Sequence, residues 1–247
     1  MRILAKVQYK GTKYYGWQRQ PNLVTIQQII EDALSKYFNT QVTIYGAGRT
    51  DAGVHANGQT FHFDVDVDNL DLDRLIYSIN CMIPDDICID DMEQVDDNFH
   101  ARYSATGKVY NYLISMESKN PFFYETCYLH PKYFDYEIFE SALKRFVGKH
   151  NFKNFTSKEE DKDNFVREIY SIDCVKEGNF IGATLRGNGF MRYMIRFMIG
   201  YAIDVASGKY TLESIDELLD ESSPRLIVSS KAPACGLVLL GVMYDEI

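Results

Sequence analysis

Residues 46–56 read GAGRTDAGVHA, and they place Arg49, Thr50 and Asp51 side by side between glycines. Nothing in this run suits the interior of a helix or strand. Glycines at 46, 48 and 53 permit positive φ and the close approach of another backbone or a ligand. Asp51 is the only acid between Asp32 and Asp64. With the cation Arg49 beside it, its carboxylate is expected to stay ionised. An ionised aspartate in an accessible glycine-rich loop can act as a nucleophile. The same residues also suit a bland role, in which Asp51 closes an Asx-turn and Arg49 makes a surface ion pair.

Further along, Arg192 and Arg196 lie four residues apart within GNGFMRYMIRFMIG, a segment apolar on most sides. A buried guanidinium is costly without a partner, so Arg196 is expected to meet a carboxylate or backbone carbonyls, Asp204 among the candidates. Arg192, on the same helical face, could reach a phosphate or remain a rim charge. Near the start, KGTKYYGWQRQ mixes Lys10, Lys13 and Arg19 with Tyr14, Tyr15 and Trp17. It reads either as an RNA-contacting loop or as aromatics in the core with lysines in solvent.

The elements that must position these groups follow from periodicity. Residues 2–9 read as a strand. Ile26, Ile29, Ile30, Ala33, Leu34, Tyr37 and Phe38 recur at helical spacing behind Thr25, a suitable N-cap. Phe61, Phe63, Val65 and Val67 alternate with Thr60, His62, Asp64 and Asp66, which predicts a half-buried strand with its polar face outward. A second helix is expected around 72–79, strands near 86–95 and 107–115, and an irregular aromatic stretch over 116–134. A helix over 136–147 should stop at Gly148. Two strands (165–176 and 179–186), a buried helix (190–206), a short helix (212–220) and a last strand (236–244) complete the chain. The pattern occurs twice, in 1–103 and 104–247, and predicts an α+β protein with a mixed, mostly antiparallel sheet flanked by helices.

Composition narrows the class. The 247 residues include five cysteines with no C-x-x-C pair and five histidines without metal-ligand spacing. Reduced thiols in a cytoplasmic protein are expected, without a metal or a disulfide framework. Arg192, Arg196 and Asp204 interrupt the longest apolar run, and no membrane span is predicted. The formal net charge is −9, yet residues 64–97 alone carry −11 and residues 1–60 carry +4. An acidic face can coexist with a basic one, so charge does not exclude a nucleic-acid substrate.

Six segments in order, from YKGTKYYGWQRQ through GRTDAGVHA, FHARYSATGKVYNYLI, HNFKNF and GNGFMRYMIRFMIG to APACGLVLLGVMY, together resemble the tRNA pseudouridine synthase A family. The resemblance spans nearly the whole chain. It implies two pseudo-symmetric halves around a central cleft, with an N-terminal half (1–103) carrying the catalytic loop and a C-terminal half (104–247) completing the cleft. It implies a cofactor-free isomerase that converts uridine to pseudouridine in the tRNA anticodon stem-loop, at positions 38, 39 and 40. It assigns Asp51 as the catalytic nucleophile, Arg49 to the flipped-out nucleotide and Arg196 to pairing with Asp51. Tyr110 is assigned to stacking on the target base and Leu237 to lining the uracil pocket. It also implies a homodimer acting on tRNA in the cytoplasm. Lys10, where the family often has aspartate, is a departure. Action at other RNA positions and a silent RNA-binding or tRNA-folding module are the alternatives. A glycosidase normally needs a second carboxylate, and none is singled out near the loop. Whether Asp51 attacks C1′, adds to C6 or assists a glycal route stays open.

Overall fold

Strand and helix periods along the chain turn into two separately packed units in a computed structural model. The structure describes residues 1–67, 69–130, 132–157 and 164–245; Asp68 of the acidic stretch lies outside them. One unit comprises Met1–Thr106 and Val238–Ile247, the other Gly107–Leu237.

The first unit is built on β1 (Arg2–Tyr9), β2 (Tyr45–Gly46), β3 (His55–Asp64), β4 (Ile87–Val95) and the late strand β10 (Leu237–Tyr244). β1 lies between β3 and β4 and pairs antiparallel with both; β2 is antiparallel and β10 parallel to β3. The final strand thus packs with the first half of the chain, because Val238 and Leu239 register on His55 and Ala56. α1 (Ile26–Phe38) begins where expected, with the Thr25 hydroxyl accepting from the Gln28 amide. α2 (Leu72–Asn80) is capped by Asp71. In-register pairs such as Ile3–Phe63 and Ala5–Phe61 form one sheet face, and Phe38 and Trp17 pack on its Phe63 and Phe61.

The strand over 60–67 differs from expectation in an informative way. Asp64 and Asp66 are exposed as expected, but the first part of the polar face is buried too: Thr60 and His62 are enclosed along with Phe61 and Phe63. β3 is central in its sheet, and its second face meets a smaller cluster of Leu4, Ala47, Val95 and Ala101, with Phe99 and Tyr244 against it. The polar groups are satisfied there: Thr60 shares a 2.6 Å hydrogen bond with the Tyr244 hydroxyl, and His62 Nδ1 accepts from the Ala101 amide.

The second unit carries β5 (Ala105–Ser115, apart from its first two residues), β6 (Tyr128–Leu129), β7 (Gly148–Asn151), β8 (Val166–Glu177) and β9 (Phe180–Gly187). β5, β9, β8 and β7 are joined antiparallel in that order, with β6 parallel to β5. α3 (Tyr136–Lys144) packs on α4 (Met194–Ala206), and α5 (Glu213–Leu219) follows. α3 ends three residues earlier than the Gly148 signal implies; Gly148, at φ 109°, instead opens β7. The HNFKNF segment is core: Phe152 and Phe155 are fully buried against Phe146, and Phe155 also meets Tyr201. Buried Asn154 ties this segment to the chain beyond α5, donating to the Leu218 carbonyl and accepting from the Leu226 amide. Among the described residues no helix is long and apolar enough to cross a membrane.

Candidate active site

The glycine-rich loop connects β2 to β3, and the first unit holds it from several sides. Trp17 donates its backbone amide to the Thr50 carbonyl at 3.1 Å, and Gly53 donates to Tyr14 at 3.4 Å. The Tyr9 and Thr50 hydroxyls share a buried 2.8 Å hydrogen bond. Gln59 donates its side-chain amide to the Gly48 carbonyl. The Val54 amide returns to the Asp51 carbonyl, closing a turn through Gly53 at φ 79°. The outcome is a loop with a fixed backbone, on which Asp51 is half-buried and Arg49 is exposed. Arg49 makes no ion pair among the described residues, so the surface-pair reading does not hold for it.

This framework settles the role of the N-terminal aromatic loop. Trp17 is 2% exposed and Tyr14 is 6% exposed, so both are core residues under the glycine-rich loop. The Tyr14 hydroxyl bonds to the Asp86 carboxylate, and burial together with that anion raises its pKa. Burial likewise raises the pKa of Tyr9, keeping the phenol neutral as a partner for Thr50. Lys13 pairs with Asp86 at 3.3 Å, and Arg19 pairs with Glu31 at 2.9 Å and Asp32 at 3.2 Å. These two cations are therefore committed within the unit, and only Tyr15 of the three aromatics is exposed.

Sequence reasoning singled out Gly46 as a close-approach position but passed over Gly16, which makes this packing possible as well. A Cβ on Gly16, itself at φ 86°, would come within 2.6 Å of the Thr50 carbonyl oxygen. One on Gly46 would meet the Trp17 indole nitrogen at 2.5 Å. Both are close-approach glycines, and the partner of each is known only once the two loops are seen to touch. His55, at the end of the motif, accepts the Gly11 amide through Nδ1.

The second unit carries the remaining candidates. Tyr110 points to the buried side of β5, in register with Leu185, and is 7% exposed with its ring edge-to-face on Phe190 at 5.3 Å. Arg196, half-buried on the first turn of α4, donates Nε to the Ala232 carbonyl at 2.8 Å while its own carbonyl accepts from the Ala232 amide at 2.9 Å. One partner of Arg196 is thus a backbone carbonyl. Asp204 is engaged elsewhere, with Ser230 and with Lys209. Residues 230–236 run as a strap along α4, so close that a Cβ at Gly200 would lie 2.4 Å from the Ser230 carbonyl oxygen. The Tyr112 hydroxyl donates to Pro233 at 2.8 Å, and its ring leaves no room for a side chain at Gly236. The strap delivers Leu237, 5% exposed, to the start of β10. Among the described residues no cluster of three His, Cys, Asp or Glu could hold a metal ion.

Comparison with known proteins fits this arrangement of motifs. The family described as tRNA pseudouridine synthase matches residues 5–104 and again 142–245, so the two halves are repeats of one pattern. A tRNA pseudouridine synthase A from Ruminiclostridium cellulolyticum is 39% identical over 98% of this chain and 99% of its own. Those from Chlamydia pneumoniae and Streptococcus mutans are 37% and 36% identical, covering 99% and 100% of this chain and 92% and 100% of theirs. Among solved structures, a chain of a Cbf5-Nop10-Gar1 complex aligns at TM-score 0.38 and 11% identity over 82% of this chain and 54% of that one. With both halves matched and the relatives similar from end to end, the chain belongs to the tRNA pseudouridine synthase family.

Proposed function

We propose that this protein isomerises uridine to pseudouridine in the anticodon stem-loop of tRNA, at positions 38, 39 and 40, with Asp51 as nucleophile. The observation that carries the reading is the loop around Asp51. A carboxylate stands on a backbone fixed by Tyr9, Trp17 and Gln59, in a chain that matches the family in both halves.

The reaction breaks the N1–C1′ bond, turns the ring and joins C5 to C1′; the C5 proton is lost and N1 gains one. Substrate and product are isomers, so no external oxidant or reductant is consumed. The target base must first leave its stack, at a cost of a few kcal/mol. Arg49, exposed and not ion-paired among the described residues, suits the vacated space or an adjacent phosphate. Tyr110 supplies an aromatic face for the base, a contact worth ~1–3 kcal/mol in related sites. Arg196 pairs with the Asp51 carboxylate, its Nε held by Ala232 so that the rest of the guanidinium is oriented. Leu237 lines the uracil pocket. The same reading makes the enzyme a cytoplasmic homodimer that needs no metal or cofactor.

The test is incubation with an unmodified tRNA transcript, followed by carbodiimide treatment and primer extension. Stops one nucleotide 3′ of position 38, 39 or 40 are expected. Stops elsewhere would indicate another RNA position, and none at all a silent module. Asp51→Asn should fold and bind tRNA yet form no pseudouridine; substantial turnover in that variant would sink the nucleophile assignment.

A further inference from the structure

Three cations converge on one aromatic ring at the start of α4. The Arg192 guanidinium carbon lies 4.8 Å from the Tyr193 ring centroid, that of Arg196 5.2 Å, and the Lys231 ammonium 4.1 Å. Arg192 also donates to the Tyr193 hydroxyl at 3.1 Å. Arg192 and Lys231 are both exposed, and neither makes an ion pair with any described carboxylate. Elsewhere in this chain of net charge −9, Lys13, Arg19, Arg145, Arg186 and Lys209 have acidic partners.

A ring face attracts cations through its quadrupole, but it does not neutralise them. The like charges of Arg192 and Lys231 on one ring repel one another, and the repulsion is relieved by an anion placed between them. The residues come from two segments, the start of α4 and the strap at Lys231. The strap is fixed to α4 by the reciprocal Arg196–Ala232 hydrogen bonds, so Lys231 is held next to the arginines.

We propose that Arg192 and Lys231, seated on Tyr193, form a binding site for the phosphodiester backbone of the RNA strand. Arg196, already assigned to Asp51, forms the inner edge of this cluster. The site thus anchors the strand beside the catalytic arginine, a placement that rests on the function proposed above. Phosphate contacts of this kind fix register and carry no sequence information.

The test compares wild type with Arg192→Ala/Lys231→Ala, using a labelled oligouridylate at increasing salt. Loss of two phosphate contacts should reduce the slope of log affinity against log salt by about 1.4. Between 50 and 200 mM salt the wild type should therefore lose about 7-fold more affinity than the double variant. Lys36→Ala/Lys149→Ala removes the same charge from exposed sites elsewhere and should leave the slope near wild type. Arg192→Lys should retain most of it. An unchanged slope in the Arg192/Lys231 variant would overturn the proposal, as would an equal fall in the Lys36/Lys149 control. Both substituted side chains are exposed, and a thermal melt will show that the fold is intact. Pseudouridine formation is assayed separately. A wild type that modifies tRNA while the slopes stay equal refutes only the phosphate site. A slope that falls as expected in a protein without isomerase activity supports the site and refutes the proposed reaction.

Discussion

Replacing Gly16 by alanine probes whether the N-terminal loop truly fixes the Asp51 loop. Two penalties are readable from the structure. Gly16 sits at φ 86°, and a left-handed backbone costs an ordinary residue roughly 1–2 kcal/mol. The new Cβ would also stand 2.6 Å from the Thr50 carbonyl oxygen and 3.1 Å from the Asp51 carbonyl carbon. Those are backbone atoms that no rotamer change can move aside, and overpacking of this type typically costs about 1–3 kcal/mol. The total of ~2–5 kcal/mol corresponds to a fall in melting temperature on the order of 4–20 °C for a domain this size. Gly208 provides the control. It has nearly the same φ, 79°, but no atom within 4 Å of its Cβ position. Gly208→Ala should therefore show the conformational penalty alone and keep full turnover. Gly16→Ala should melt lower than Gly208→Ala and lose about 100-fold in pseudouridine formation, because displacing the Thr50–Asp51 backbone misaligns the nucleophile. Differential scanning fluorimetry and single-turnover kinetics measure both effects. Equal melting temperatures and equal rates in the two variants would refute the idea that Gly16 packing positions Asp51.

Arg196→Ala removes a charged donor to Ala232 and should cost about 1.5–3 kcal/mol, with activity falling as well; a variant both fully stable and fully active would disprove its pairing with Asp51. Burial, reinforced by His100 and Arg2, holds the His62 pKa down at about 4. In the unfolded chain the imidazole binds its proton near pH 6.5, so this stabilisation is complete above that pH and is lost as pH falls toward 4. Melting temperature should accordingly decline across that window, and His62→Gln should flatten the decline. An identical pH dependence in the variant would show that His62 does not carry it.

Much of this was legible in the linear chain, and the reason is local. α1 and α4 have enough turns for an apolar stripe to repeat, and Thr25 marks the start of α1 by its own hydrogen bond. The Asp51 loop stood out because its glycines and isolated acid are chemical facts that need no neighbour. The alternation over 60–67 was equally visible, and it placed Asp64 and Asp66 outward correctly but misassigned Thr60 and His62. Period 2 reports that two faces differ; it does not report that Tyr244, from the other end of the chain, covers the second. The same long reach places β10 in the first unit, through a parallel pairing no local pattern encodes.

The sequence by itself determined the element types, the loop that carries Arg49 and Asp51, and the family, since these depend on neighbours along the chain. Tertiary structure alone decided what the surrounding side chains do. It turned Tyr14 and Trp17 from candidate RNA contacts into buried supports, committed Lys13 and Arg19 to carboxylates, and left Arg192 and Lys231 without one among the described residues. Charge and aromaticity are properties of a residue, but availability depends on what the fold brings within 3–5 Å of it.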